Sequence, residues 1–120
     1  MNISINRIEA VVCQYYNVDY SDLKSKDRAQ KNAKARGVLF YFSEKFCNLS
    51  LQKIGNHVNR NHSTVIHWLK LISTEKDIYK DLANELREIE IILLKNNSII
   101  ETVDLLEIAK LNTLQIQYLT

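Results

Sequence analysis

Three histidines, His57, His62 and His67, recur at intervals of five residues, and the hydroxyls of Ser63 and Thr64 lie between the second and third. Imidazoles and hydroxyls can hold a metal, carry nucleophilic catalysis or hydrogen-bond an anion. The spacing argues against the first two. On a continuous helix, steps of five spread the rings around the cylinder. No cysteine or carboxylate completes a HExxH or CxxC pattern, and there is no phosphate-cradling glycine loop and no Ser/His/Asp arrangement in a recognisable context. The expectation is a protein that is not an enzyme and uses neither metal nor cofactor. What remains is hydrogen bonding to an anion or to base edges.

The elements that must position these groups are legible around them. Leu51, Ile54 and Val58 form one apolar helical stripe, with Ser50 as its cap and Lys53 where a full capping box would have Glu or Gln. Gly55 and the polar run Asn59-Arg60-Asn61 interrupt the pattern. Asn61 is a good N-cap for a helix over about 62–74, in which Val65, Leu69 and Ile72 recur at one face. Because Asn61 supplies the cap, His62, Ser63 and Thr64 are left for a ligand, beside the unpaired N–H groups and positive dipole end of the helix. A helix, a short turn and a second helix opening on hydrogen-bonding side chains is the layout of a helix-turn-helix, whose second helix offers its N-terminal residues to base edges and phosphates. The ligand it proposes is double-stranded DNA.

Charge supports that reading. Lys24, Lys26, Arg28, Lys31, Lys34 and Arg36 place six positive charges in thirteen residues, opposed only by Asp27. The net charge of +2 conceals an asymmetry: residues 1–70 hold eleven Lys/Arg and five Asp/Glu, residues 71–120 five and nine. A basic front and an acidic back suit a domain that presents one face to a polyanion. A solvated helix face would explain the cluster if it stood alone; its position just ahead of the helix-turn-helix favours phosphate contacts.

The rest of the chain reads as one all-α domain. With 120 residues, no proline and two glycines, helices joined by short polar turns are expected. Ile5, Ile8, Val11, Val12 and Tyr15 predict a helix over about 4–16, with Ser4 as its cap, and Ser21-Asp22-Leu23 one short turn. A helix over about 29–47 is expected to project Lys31, Lys34 and Arg36 from its first half, and Gly37 within it to mark close packing. Asp77 should start a long helix to about Lys95, with Ile78, Leu82, Leu86, Ile89 and Leu93 in phase. A weaker pattern from Ser98, through Ile99, Val103, Leu106 and Ile108, suggests a short final helix. Tyr15, Tyr16 and Trp68 read as core or core-edge aromatics, and Cys13 and Cys47 as reduced thiols in apolar surroundings. No apolar run reaches the roughly 20 residues that span a bilayer, and the N-terminus lacks a signal-peptide succession, so an intracellular protein is expected.

These residues resemble the C-terminal DNA-binding domain, domain IV, of the bacterial replication initiator DnaA, whose fold is related to the Trp repressor. The resemblance runs from about Ile5 to Ile72. It is carried by Val12 to Tyr16, by Asp22-Leu23 with Ser25-Lys26 and Arg28, and by Ala33 and Arg36. Asn48, Ser50-Leu51, Ile54-Gly55, Arg60, His62, Thr64-Val65 and His67 complete it. The family signature reads Gly-Gly-Arg-Asp-His-Thr-Thr-Val. The resemblance implies that Arg28 enters the minor groove and that Arg36 meets the backbone or groove edge. It further implies that His62 and Thr64 read the major groove, with Ser63 in place of the first threonine, and that Ser50 and Lys53 meet phosphates.

The departures narrow the expectation. Asn61 replaces the aspartate, exchanging an acceptor-only group for one that also donates, so the base preferred there is expected to differ. The turn is one residue shorter than Gly-Gly, with Asn59 in its place, and Gly37 replaces a glutamine. No AAA+ module accompanies the resemblance, which suggests a stand-alone relative, cytoplasmic and nucleoid-associated, of the kind a phage or mobile element could encode.

The division expected is residues 1–74 as the DNA-binding core and 75–120 as a helical extension, packed on that core or mediating association with a second copy or a protein partner. The function expected is sequence-specific DNA binding in transcription regulation or replication-origin control. Lys26, Arg28, Lys31, Lys34, Arg36, Ser50, Lys53, Arg60, Asn61, His62, Ser63, Thr64 and His67 form the contact set. The alternative is a protein-interaction module on the same fold that has lost DNA, favoured by the acidic 71–120 segment and the altered turn.

Overall fold

A computed structural model describes residues 2–26 and 29–102, with side chains as far as Lys95. The described chain is helical, in the order α1 Ile5–Tyr16, α2 Tyr20–Lys24, α3 Gln30–Phe46, α4 Leu51–Asn56, α5 His62–Glu75 and α6 Lys80–Thr102. None of these helices is long and apolar enough to cross a membrane. Ser4, Ser50 and Asn61 cap α1, α4 and α5 as their residue types lead one to expect, accepting from the backbone N–H of Arg7, Lys53 and Thr64 at 3.0–3.2 Å.

The core is built around α3, which packs against α1, α2, α4 and α5. Val38, Leu39, Phe40 and Phe42 are fully buried at four of five successive positions, so this helix is enclosed on most sides rather than along one stripe. Ile8 and Val12 of α1, Leu23 of α2, Ile54 of α4 and Val65 of α5 close around it. Gly37 lies where α3 meets α5. A β-carbon there would stand 2.8 and 2.9 Å from Cδ2 and Cζ3 of Trp68 and nearer still to Cε3. The close packing expected at this glycine is therefore the seat of the Trp68 indole.

Two further ties set the frame of the helix-turn-helix. Glu9 of α1, 5% exposed, meets His57 Nε2 at 3.1 Å, joining α1 to the end of α4. The segment before α1 is pinned to the end of α3, where Ile3 N–H donates to the Phe46 carbonyl and Cys47 Sγ donates to the Ile3 carbonyl, each at 3.0 Å.

Three sequence expectations shift. The long helix begins at Lys80, not Asp77, because Asp77, Ile78 and Tyr79 donate their N–H groups to Thr74 and Glu75 carbonyls and so wind off the end of α5. Ile78 consequently falls out of the buried stripe and is 62% exposed, whereas Leu82, Leu86, Ile89 and Leu93 are buried. No break occurs at Ser98: α6 runs on through Thr102. The remaining tail positions Val103, Leu106 and Ile108 lie outside the described residues.

The helix α6 packs against α1. A polar seam flanks its apolar stripe. Tyr15 donates to Glu88, Tyr16 donates to Glu85 at 2.8 Å, and Lys34 and Lys45 reach Glu85 and Glu90 at 2.8 and 2.7 Å. The acidic back of the chain is thereby partly spent on its own front.

Candidate nucleic-acid interface

The pair α4–α5 is held at close range by Gly55. Its carbonyl accepts from Val58 N–H at 3.0 Å and Arg60 N–H at 2.8 Å, so the turn folds back on the glycine. A β-carbon at Gly55 would stand 2.5 Å from the Arg60 carbonyl and 3.1 Å from Val65 Cγ2. The turn closes through Asn59 in the left-handed region at φ 59°, where asparagine is among the few tolerated side chains. One such residue suffices where the signature of the resemblance carries two glycines.

Beyond this turn, α5 opens on exposed groups. Asn61, His62, Ser63 and His67 are exposed and Thr64 is half-buried. Asn61 Oδ1 is used twice, accepting from Thr64 N–H at 3.0 Å and Thr64 Oγ1 at 3.2 Å. Thr64 is thus partly occupied with the cap, while His62 and Ser63 present their side chains to solvent at the positive end of the helix dipole. Across the turn, Ser50 and Lys53 of the first turn of α4 are exposed.

The basic residues divide into two groups. Lys24, Lys26 and Lys31 are exposed. Lys34 belongs elsewhere: its ammonium pairs with Glu85 and lies 5.5 Å from the centroid of the Tyr16 ring, on the side of α6. Arg36, expected to project to the backbone of a ligand, is 5% exposed, and its Nη1 donates to the carbonyls of Asp22 and Leu23 at 3.1 and 3.2 Å. The cause is α2, whose five residues leave their final carbonyls without N–H donors from the helix itself. Arg28 lies outside the described residues.

Sequence reasoning also missed what binds the basic loop to the turn of the motif. Asn59 Nδ2 donates to the Lys24 carbonyl at 3.2 Å, and Arg60 Nη2 donates to the Ser25 carbonyl at 2.5 Å. Arg60 Nη1 holds its own turn, donating to the Val58 carbonyl at 3.0 Å. The segment from Lys24, the last residue of α2, through Lys26 therefore adjoins the turn that leads into α5. No spacing in the sequence announces it, since 35 residues separate each pair.

A family model described as "Bacterial dnaA protein helix-turn-helix" matches residues 5–72, more than half of the chain. The chain belongs to the DnaA helix-turn-helix family. The matched segment ends within α5, so it contains α1 to α4, the turn and most of the second helix of the motif. The chain is 34% identical over 88 residues to the chromosomal replication initiator protein DnaA of Caldanaerobacter subterraneus subsp. tengcongensis, covering 73% of this chain and 20% of that protein. It is 30% identical over 94 residues to DnaA of Bacteroides thetaiotaomicron, covering 78% and 20%. To DnaA of Methylacidiphilum infernorum it is 38% identical over 88 residues, covering 72% and 19%. The chain spans about a fifth of the length of these DnaA relatives.

Proposed function

We propose that this chain binds double-stranded DNA sequence-specifically through the N-terminal end of α5, in replication-origin control or transcription regulation. The observation that carries the reading is the adjacency of two exposed groups of residues. Asn61, His62 and Ser63 start α5, and the turn just before them is hydrogen-bonded to the loop bearing Lys24 and Lys26. Hydrogen-bonding side chains at a helix start beside a basic loop match what a duplex offers: base edges in the major groove and phosphates along its rim.

His62 and Ser63, with Asn61, Thr64 and His67, supply base and phosphate contacts in this reading. Lys26, Lys31, Ser50 and Lys53 supply phosphate contacts, and Arg28 enters the minor groove, a role the family resemblance supports. Lys34, Arg36 and Arg60 are left to their internal partners. The relatives' name, chromosomal replication initiator protein, favours replication-origin control over transcription regulation.

The test is a gel shift on duplexes over a range of salt. With three to five phosphate contacts, log affinity should fall against log salt with a slope of about −3 to −5. Salt-independent retention, or none at low salt, would favour a protein-interaction module instead.

A homodimer through residues 75–120 belongs to the same proposal. Leu82, Leu86, Ile89 and Leu93 are committed to the chain's own core, so a second copy would dock on the exposed Ile78, Tyr79 and Ile91. A monomeric mass in light scattering at micromolar concentration would sink that arrangement.

A further inference from the structure

Four consecutive carbonyls, those of Asp22, Leu23, Lys24 and Ser25, each accept from a side chain. Arg36 serves the first two from α3, Asn59 the third and Arg60 the fourth from the turn of the helix-turn-helix. Ser25 Oγ adds a second bond to the Asp22 carbonyl at 2.9 Å. These are the carbonyls at the end of α2 and just past it. A helix end needs such partners, and water ordinarily supplies them when the end is exposed. Here groups from two other elements supply them, and the last two come from the turn that precedes the recognition helix.

We infer that Asn59 and Arg60 are positioning residues. They hold the Lys24–Lys26 loop in register with the N-terminus of α5, so that Lys26 and the start of the recognition helix meet one duplex as a single rigid surface. The inference rests on the DNA-binding reading. It assigns Arg60 a role other than the direct contact that its type and place suggest. Arg60 is half-buried, and three carbonyls, of Ser25, Val58 and Asn59, accept from its guanidinium. A guanidinium is planar, with its donors in a fixed fork, so three carbonyls around it fix its orientation as well as its position. Asn59 joins the same clamp through an uncharged amide while its backbone makes the left-handed turn.

That Asn59 carries no charge provides a sharp test. Asn59→Gly keeps the left-handed backbone accessible and deletes only the amide. It removes no cation, so it cannot lower the salt dependence of binding by itself. A loosened Lys26 can, because each phosphate contact contributes about 0.9 to the slope. The experiment uses the full chain and a duplex enriched from a random-sequence library, with affinities measured at several salt concentrations. The variants are Asn59→Gly, Arg60→Gln, Lys26→Ala and the double variants with Lys26→Ala. Asn59→Gly should weaken binding roughly threefold to tenfold and lower the slope by about one, as Lys26→Ala does, and the two should not add. Arg60→Gln combined with Lys26→Ala should likewise lower the slope by about one rather than two.

An unchanged slope in Asn59→Gly, or additive loss in the double variants, would overturn the positioning role and return Arg60 to direct contact. A second measurement follows the clamp without DNA. Tryptic cleavage after Lys24 and Lys26 should quicken in Asn59→Gly and Arg60→Gln while the midpoint of thermal unfolding moves little, and unchanged cleavage would contradict the clamp. If the unaltered chain binds no duplex in a salt-dependent way, the DNA-binding reading fails, and the cleavage result alone decides whether the clamp exists.

Discussion

Asn61 does two jobs that can be separated. Its Oδ1 caps α5 by accepting from Thr64 N–H and Oγ1, and its amide adds a donor at the N-terminal end of the helix. Aspartate would cap equally well, since carboxylate and amide oxygens rank alike at this position. It would also accept from a cytosine N4 amine, which an amide N–H₂ cannot do. Asn61→Asp should therefore leave the unfolding midpoint nearly unchanged while moving the selected base toward cytosine at one position of the enriched site. Site selection with both proteins checks this, and an unaltered consensus would mean that Asn61 faces no base.

His62 and Lys53 should differ in kind. Removing the His62 imidazole should reduce discrimination between the preferred and a scrambled duplex by about 1–3 kcal/mol. Lys53→Ala should weaken both duplexes alike and lower the salt slope by about 0.9. Equal losses on both duplexes from both changes would contradict the division. The exposure of both side chains was legible from type and spacing. The helix cap consumed Asn61 and left the next side chains unassigned, and the structure shows His62 and Ser63 exposed. Arg36 and Arg60 were not legible. An arginine in a basic run looks the same in sequence whether it faces solvent or satisfies the orphan carbonyls of a short helix many residues away.

At the scale of elements, the crossing of α3 and α5 depends on Gly37 and Trp68. Alanine has the higher helix propensity by about 1 kcal/mol, so on local grounds Gly37→Ala should stabilise α3. The ring contacts below 3 Å say the reverse. Overpacking of this kind costs about 1–3 kcal/mol and shifts backbone. We expect Gly37→Ala to lower stability in urea and, by displacing α5, to weaken binding to DNA. Placing Trp68→Ala in the same chain should make Gly37→Ala neutral or stabilising. A stabilised single variant would show that the indole moves aside freely. The glycine's role as a packing site was foreseeable from its place inside a helix; its partner was not, because no local pattern links positions 37 and 68.

The last helix teaches a related lesson. Its buried stripe from Leu82 to Leu93 followed from helical periodicity, but its start did not. The run from Asp77 keeps the same phase while its backbone completes the end of α5. Ile89→Ala, at a fully buried position, should cost about 2–5 kcal/mol. Glu85→Gln, in a partly exposed ion pair, should cost less than about 1 kcal/mol. Urea denaturation compares them, and the opposite order would mean that the polar seam rather than the apolar stripe fixes α6.

For the whole molecule, the seam between α1 and α6 and the buried thiol of α1 make stability sensitive to alkali. Burial, with Glu9, Asp19 and Asp22 nearby, pushes Cys13 up to about 11. Burial and the hydrogen bond to Glu88 push Tyr15 up to about 12, and burial with Glu85 raises Tyr16 further. All three groups have folded values above their ordinary ones of 9.0 and 10.0. They ionise first in the unfolded chain, so the stability they contribute is complete below about pH 9 and is lost as pH climbs toward about 12. Thermal unfolding across that window should show a steep fall, shallower in the Tyr15→Phe/Tyr16→Phe double variant. An equal fall in both would place the sensitivity elsewhere.

The charge asymmetry acts on the same scale. It was visible in composition, yet α6 draws Lys34 and Lys45 toward its carboxylates, so the basic face is smaller than counting residues implies. What remains, around the start of α5, is the surface on which the account depends. The most direct measurement is enrichment of bound duplexes from a random-sequence library, followed by affinities for the enriched and an unrelated duplex at one fixed salt concentration. A specific reader of base edges should prefer the enriched site by about a thousandfold or more. Failure to enrich any sequence, with equal affinity for both duplexes, would contradict sequence-specific binding through α5.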